Sequence, residues 1–257
     1  MNKKFVTTIE CRMTSSRLPG KVVKKFGEYT SIELLINRIK KSRFIDDIIL
    51  ATTKNKIDDI LVKIAKKNRI KYFRGSENDV LGRLSNALKT RKEDNVIQLT
   101  GDNPFIDSEI IDYMCKKYLS LKVNFLTNNG FMKMKKNYFP LGMNVSIFKR
   151  KDIIKISNIT KDLEDREHPT LFFYRSKKKY FKIKNIETLK KWRYNFKPRL
   201  TMDTYSDYKL LREIFYYFNR KKTNIYFTFE MIMEFLKKNK KLIYINKNIK
   251  HKIPQCI

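Results

Sequence analysis

The sequence predicts an α/β fold: a mostly parallel sheet with helices on both faces. Three observations point there. Short apolar runs alternate with amphipathic stretches through the first half of the chain. A length of 257 residues suits one such domain with a substantial core. Only 7 glycines and 6 prolines occur, with no low-complexity linker and no repeat, so residues 1–257 are expected to form a single domain.

Taken in order, residues 5–9 read as a strand, and residues 31–43 as a helix with Ile32, Leu35, Ile36 and Ile39 on one face. Residues 47–52 form a second strand, and 57–67 a helix whose buried stripe is Ile60, Leu61 and Ile64. A third strand at 70–73, a helix at 80–88 and a fourth strand at 96–99 follow. Asp107 and Ser108 open a helix running to about Tyr118, with Ser108 as its N-cap. This spacing gives βαβ units. In such sheets ligands bind beyond the carboxyl ends of the strands, which directs attention to the loops at 10–21 and 100–107.

The second half is less regular. Strands are expected at 144–148, 181–186 and 199–202, and helices at 166–174 (with Pro169 in its first turn), 206–218 and 229–238. The region 125–145, centred on 128–140, is the best candidate for a protruding segment that contacts the acceptor or a second subunit.

Composition narrows the function classes. No apolar run approaches the roughly 20 residues of a membrane helix. The run after Lys3 and Lys4 is cut short by Glu10 and Arg12, too early for a secretory signal. Cys11, Cys115 and Cys256 are far apart with no CxxC pair, as reduced cytosolic thiols would be. A soluble cytoplasmic protein without a membrane partner is expected. The formal charge of +32 attracts polyanions, but the lysines are spread over helices and loops alike, as on a solvated surface. No helix-turn-helix, zinc-finger or RNP signature accompanies them, so a nucleic-acid partner is the weaker reading.

Chemistry-bearing residues fall into four groups. The loop after the first strand carries Arg12, Arg17 and Lys21 with the hydroxyls of Thr14, Ser15 and Ser16, a set that can wrap a triphosphate. It lacks the glycine spacing of a Walker A loop, and an ordinary basic surface loop is the competing reading. In LTGDNPFID, residues 99–107, Asp102 follows the fourth strand; it either holds Mg²⁺ or forms a turn. In RLTMDTYSD, residues 199–207, Asp203 either supplies a second carboxylate to that metal or, like Asp207, caps the next helix. His168, one of two histidines, stands in REHPT at 166–170.

Together these runs resemble the cytidylyltransferase family that activates sugars and acidic sugars, especially its branch of spore-coat polysaccharide biosynthesis proteins. The resemblance extends in order over residues 4–215, through RMTSSRLPGK (12–21), FRGSENDVL (73–81), TGDNPFID (100–107), PLGMNV (140–145), REH (166–168) and LTMD (200–203). It implies a fold of the nucleotide-diphospho-sugar transferase type and transfer of CMP from CTP to a sugar, sugar acid or sugar phosphate, with release of pyrophosphate. It also implies that Arg12, Arg17 and Lys21 hold the triphosphate, with Thr14, Ser15 and Ser16 on the same loop. Arg74 and Ser76 would lie beside the base or ribose with Gln98 nearby, Asp102 and Asp203 would bind Mg²⁺, and Asn144 and His168 would contact the acceptor. Many relatives are dimers, which makes a homodimer the expectation. The sequence departs from the family at Asn144, where Asp is more frequent, and at Asn103, where Cys is. A glycosyltransferase would use a similar sheet, but Gly101-Asp102-Asn103 is not the DxD that such an enzyme places at a strand end.

Overall fold

A computed structural model describes residues 5–128, 138–176, 180–220 and 224–250. In chain order these form β1 (Phe5–Glu10), the hairpin β2 (Lys25–Phe26) and β3 (Tyr29–Thr30), α1 (Ser31–Ile39), β4 (Ile45–Thr53), α2 (Asp59–Lys67), β5 (Lys71–Gly75), α3 (Val80–Lys89), β6 (Asn95–Thr100) and α4 (Ser108–Ser120). Then come β7 (Phe125–Thr127), β8 (Ser146–Lys149), α5 (Arg150–Ile159), α6 (Leu163–Glu167), α7 (Leu171–Arg175), β9 (Ile183–Asn185), α8 (Tyr205–Arg220) and α9 (Phe229–Lys238).

Seven strands make one sheet in the order β5-β4-β1-β6-β8-β7-β9. The pairs β4–β5, β1–β4, β1–β6 and β7–β9 are parallel, and β8 runs antiparallel to both β6 and β7. The expected mostly parallel sheet is therefore present. Successive side chains of a strand point to opposite faces, and β1 feeds two cores in this way. Phe5 and Ile9 join a large cluster with α1, α4, α8 and α9, while Val6 joins a smaller one with α3, α5 and α7. In the smaller core Phe173 stacks on Phe125 at 4.7 Å between ring centroids and meets Phe181 edge-on at 5.0 Å. Burying each such ring contributes about 2–3 kcal/mol.

Helix starts follow the local chemistry. Thr30 and Glu33 form a reciprocal capping box on α1. For α4 the cap is Asp107 and not the expected Ser108, which is the first helical residue. The Asp107 carboxylate accepts from the Glu109 N–H at 2.8 Å and also from the Phe229 N–H at 2.6 Å, bonds that a serine hydroxyl is too short to make together. The helix expected from residue 57 starts at Asp59, because Asp58 turns inward to accept from Met13, Thr52 and Thr53.

Two expectations change in the second half. The single helix at 166–174 is two short ones, α6 and α7, separated at His168, Pro169 and Thr170. Proline lacks an N–H and drives the residue before it out of the helical region, and His168 lies at φ −117°, ψ 85°. Residues 199–202 are not a strand of the sheet; they bridge loops, with Leu200 N–H donating to Leu141 C=O and Met202 N–H to Asp102 C=O, both at 2.8 Å. Helix α5 and strand β7 had no counterpart in the sequence reading. Within the region 125–145, the described parts are built into the core: Phe125, Leu126, Met143 and Val145 are fully buried. The rest of that segment, 129–137, lies outside the described residues. No helix among the described residues is long and apolar enough to cross a membrane. Cys11 and Cys115 are buried free thiols, and Cys256 lies outside the described residues.

Candidate active site

Beyond the carboxyl ends of β1 and β6 lies a cleft of about 470 Å³. The loop leaving β1 closes on itself, with Gly20 N–H donating to Met13 C=O at 2.9 Å, which turns Lys21 back toward the sheet. The loop leaving β6 must pass close to it. A Cβ on Gly101 would stand 2.5 Å from that of Cys11, so only glycine lets the two loops touch.

Lys21 joins the two carboxylates. Its Nζ lies 2.9 Å from Asp102 Oδ2 and 2.8 Å from Asp203 Oδ1. Arg17 reaches the same Asp203 oxygen at 3.2 Å, and Arg199 holds Asp203 Oδ2 at 2.5 Å. Arg199 also donates to Asp207 Oδ1 at 2.9 Å, and Asp207, fully buried, accepts from the Asp203 and Thr204 N–H groups at the start of α8. The two aspartates meet because the backbone bond from Met202 to Asp102 fastens one segment to the other. Gly142 permits this: it sits at φ +101°, and a Cβ there would come within 2.3 Å of the Leu200 carbonyl carbon.

Electrostatics follow from the packing. Burial opposes the charge of Asp203, but Lys21, Arg17 and Arg199 outweigh it and hold the carboxyl below its ordinary value. Burial likewise disfavours the Lys21 ammonium, yet Asp102 and Asp203 raise its pKa. Glu10 behaves differently. Burial pushes its carboxyl from 4.5 to about 7, against the pull of Gln98, Thr8 and Arg83. Gln98 Nε2 donates to Glu10 Oε2 at 2.9 Å, while Oε1 is buried without a partner among the described residues.

The structure places the remaining expected residues as follows. Arg12, Gln98, Asn144 and His168 line the same cleft as Arg17, Asp102 and Asp203. Arg12 and Thr14 are both bound to Glu77. Ser15 and Ser16 sit on that loop, Ser16 exposed. Arg74 is tied down by the carbonyls of Thr53 and Asn55 and by Asp59, and Ser76 accepts from the Asp79 N–H; both lie outside the cleft lining. Gln98 and Ser146, which line the cleft, belong to a polar row across the sheet, Thr8–Gln98–Ser146–Thr127, that follows the apolar row Val6–Val96–Phe148–Phe125 on the same face. Sequence reasoning missed Glu77, Arg199 and Glu10. Of these only Glu10 left a signal, an acid closing a buried strand. A wider groove of about 1070 Å³ is lined by Arg212, Arg220, Lys237 and Lys240 among others, but it holds none of the paired carboxylates.

Among the described residues no three His, Cys, Asp or Glu side chains cluster as a metal site. A pair of carboxylates converging on one cation position is nonetheless the donor set Mg²⁺ accepts, since it completes its shell with phosphate oxygens and water.

The fold is one that solved nucleotidyltransferases share. A CMP:2-keto-3-deoxy-manno-octonic acid synthetase solved with CTP shares that fold, at TM-score 0.62 and 15% identity, covering 83% of this chain and 99% of the other. A cytidylyltransferase from Leptospira borgpetersenii is much more similar, with TM-score 0.85 and 36% identity over 96% of this chain and 99% of that one. The spore coat polysaccharide biosynthesis protein SpsF of Bacillus subtilis is 32% identical over 213 residues, 80% of this chain and 84% of its own length. Residues 6–249 match the cytidylyltransferase family, and the chain belongs to it.

Proposed function

We propose that this enzyme transfers CMP from CTP to a sugar, sugar acid or sugar phosphate, releasing pyrophosphate, as a step in surface polysaccharide or glycoconjugate biosynthesis. The observation that carries the reading is the contact of Lys21 with Asp102 and Asp203, flanked by Arg17. It puts two carboxylates and two cations from three distant segments at one point of the cleft, where a triphosphate and its counter-ion need them. The names of the relatives, a cytidylyltransferase and a spore coat polysaccharide protein, support the nucleotide and the pathway class.

In the reaction an acceptor oxygen attacks the α-phosphorus. One P–O bond forms as the bond to pyrophosphate breaks, and an attacking hydroxyl gives up its proton. Arg17 and Lys21 meet the phosphate oxygens and neutralise charge that grows toward the transition state, the largest catalytic contribution in such transfers. Asp102 and Asp203 would hold Mg²⁺, which when bound withdraws electron density from the phosphates. The acceptor lies over the polar floor of the cleft, between Gln98, Asn144 and His168. Hydroxyl-rich ligands suit a floor of hydrogen-bonding groups where a purely structural sheet would be apolar.

Pyrophosphate release with CTP, ATP, GTP and UTP, Mg²⁺ and a panel of sugar acids and sugar phosphates tests the proposal. Release from CTP with one class of acceptor is the expected result. Turnover of a sugar nucleotide, with no pyrophosphate from any triphosphate, would overturn it.

A further inference from the structure

Three loops meet at the Glu77 carboxylate. Oε1 accepts from Arg12 Nη1 at 3.0 Å and from the Thr14 hydroxyl, and Oε2 accepts from the Asn55 side-chain amide. Arg12 and Thr14 belong to the cationic loop after β1, Asn55 to the turn after β4, and Glu77 to the loop after β5. The main chain of the cationic loop is anchored separately, by the Met13 N–H on Asp58 at 2.8 Å. Asp58 thus fixes the backbone, whereas Glu77 fixes two side chains, one of which lines the cleft.

A guanidinium has five donors in a planar fork. Glu77 engages one terminal nitrogen of Arg12, and among the described residues the other edge of the fork remains for a second anion. A long side chain already held in place loses less freedom when it binds. We propose that Glu77 is a positioning residue for the triphosphate: without touching the nucleotide, it sets Arg12 and Thr14 in the geometry that receives the phosphate oxygens. The assignment rests on reading the loop after β1 as the triphosphate cradle. It is a matter of geometry and not of charge, since a free carboxylate beside a triphosphate repels it.

Titration calorimetry with CTP and Mg²⁺ on the wild type, Glu77→Ala and Glu77→Gln separates these effects. Glu77→Ala should weaken CTP binding about tenfold. Glu77→Gln should return to within about threefold of the wild type, because its amide oxygen still accepts from Arg12 and Thr14 and the Asn55 amide can turn to meet its NH₂. In an Arg12→Ala background, Glu77→Ala should weaken binding clearly less than in the wild type, by about threefold or less, the share that falls to Thr14. Should Glu77→Ala unfold, Glu77→Asp keeps the charge but withdraws it by one methylene, and it should weaken binding in the same direction. Alanine binding as tightly as the wild type, glutamine as weakly as alanine, or an undiminished effect without Arg12 would each overturn the assignment. A wild-type protein that fails to bind CTP would instead sink the cradle reading itself, at the first titration.

Discussion

Replacing Glu10 by glutamine should make the protein more stable in mild base and leave it nearly unchanged in acid. The carboxyl, ordinarily at 4.5, is raised to about 7 by burial in the folded chain. Between those values the native state holds a proton that the unfolded chain has lost. Stability from this group therefore falls as pH climbs from 4.5 toward 7, and the full penalty is present above 7. At 1.36 kcal/mol per tenfold change in proton affinity the limit is about 3 kcal/mol. Glu10 is half-buried at the cleft edge, so solvent screening brings the expected figure to about 1–2 kcal/mol. Glutamine keeps the side chain's shape and its neighbour Gln98 but carries no charge. Urea unfolding of wild type and Glu10→Gln near pH 8 should show the variant more stable by that amount, shrinking to a few tenths near pH 4.5. Titrating groups that do not face Glu10 cancel in the difference. A variant less stable near pH 8, or a difference independent of pH, would refute the account of Glu10 as a carboxylate buried against its own charge.

The paired carboxylates give a second test. Asp102→Asn should lower kcat with CTP by about 10²–10³ while unfolding within a few degrees of the wild type, read by pyrophosphate release and thermal melts. Arg199→Met removes the ion-pair partner of Asp207, which is fully buried, and one partner of Asp203, and should cost about 3–5 kcal/mol in urea unfolding. Gly142→Ala forces a side chain into the Leu200 backbone at a left-handed φ; it should depress turnover by displacing the 200–203 segment, and melting measurements should show the accompanying loss of stability.

The first half of the sheet was legible because parallel βαβ units repeat one pattern, an apolar strand then a striped helix, and the structure follows it from β1 to α4. The second half was harder for identifiable reasons. The stripe of α5 opens with Arg150, Lys151 and Asp152 immediately after β8, so no turn signal separates strand from helix. Residues 199–202 alternate like a strand, yet their hydrogen bonds go to Leu141 and Asp102 and not to a sheet neighbour, a pairing that only tertiary contact decides. For the site, the residues on the loops after β1 and β6 could be read from position alone. Asp203 could be offered as a second carboxylate from its setting, but only the family resemblance favoured that over a helix cap, because 100 intervening residues carry no spacing rule. Glu77 was invisible: an acid in a polar loop looks the same whether it faces water or an arginine.

The bond from Met202 to Asp102 ties assembly of the candidate site to the order in which the chain is made. A nascent polypeptide can close the β1–β6 half early, since those contacts are local units, but closing a loop of this length is slow and entropically costly. Until the ribosome has released the segment around Asp203, Lys21 and Asp102 stand without their third member. A chain truncated before that point would lack one of the paired carboxylates of the candidate site, together with α8 and α9, which cover the larger core.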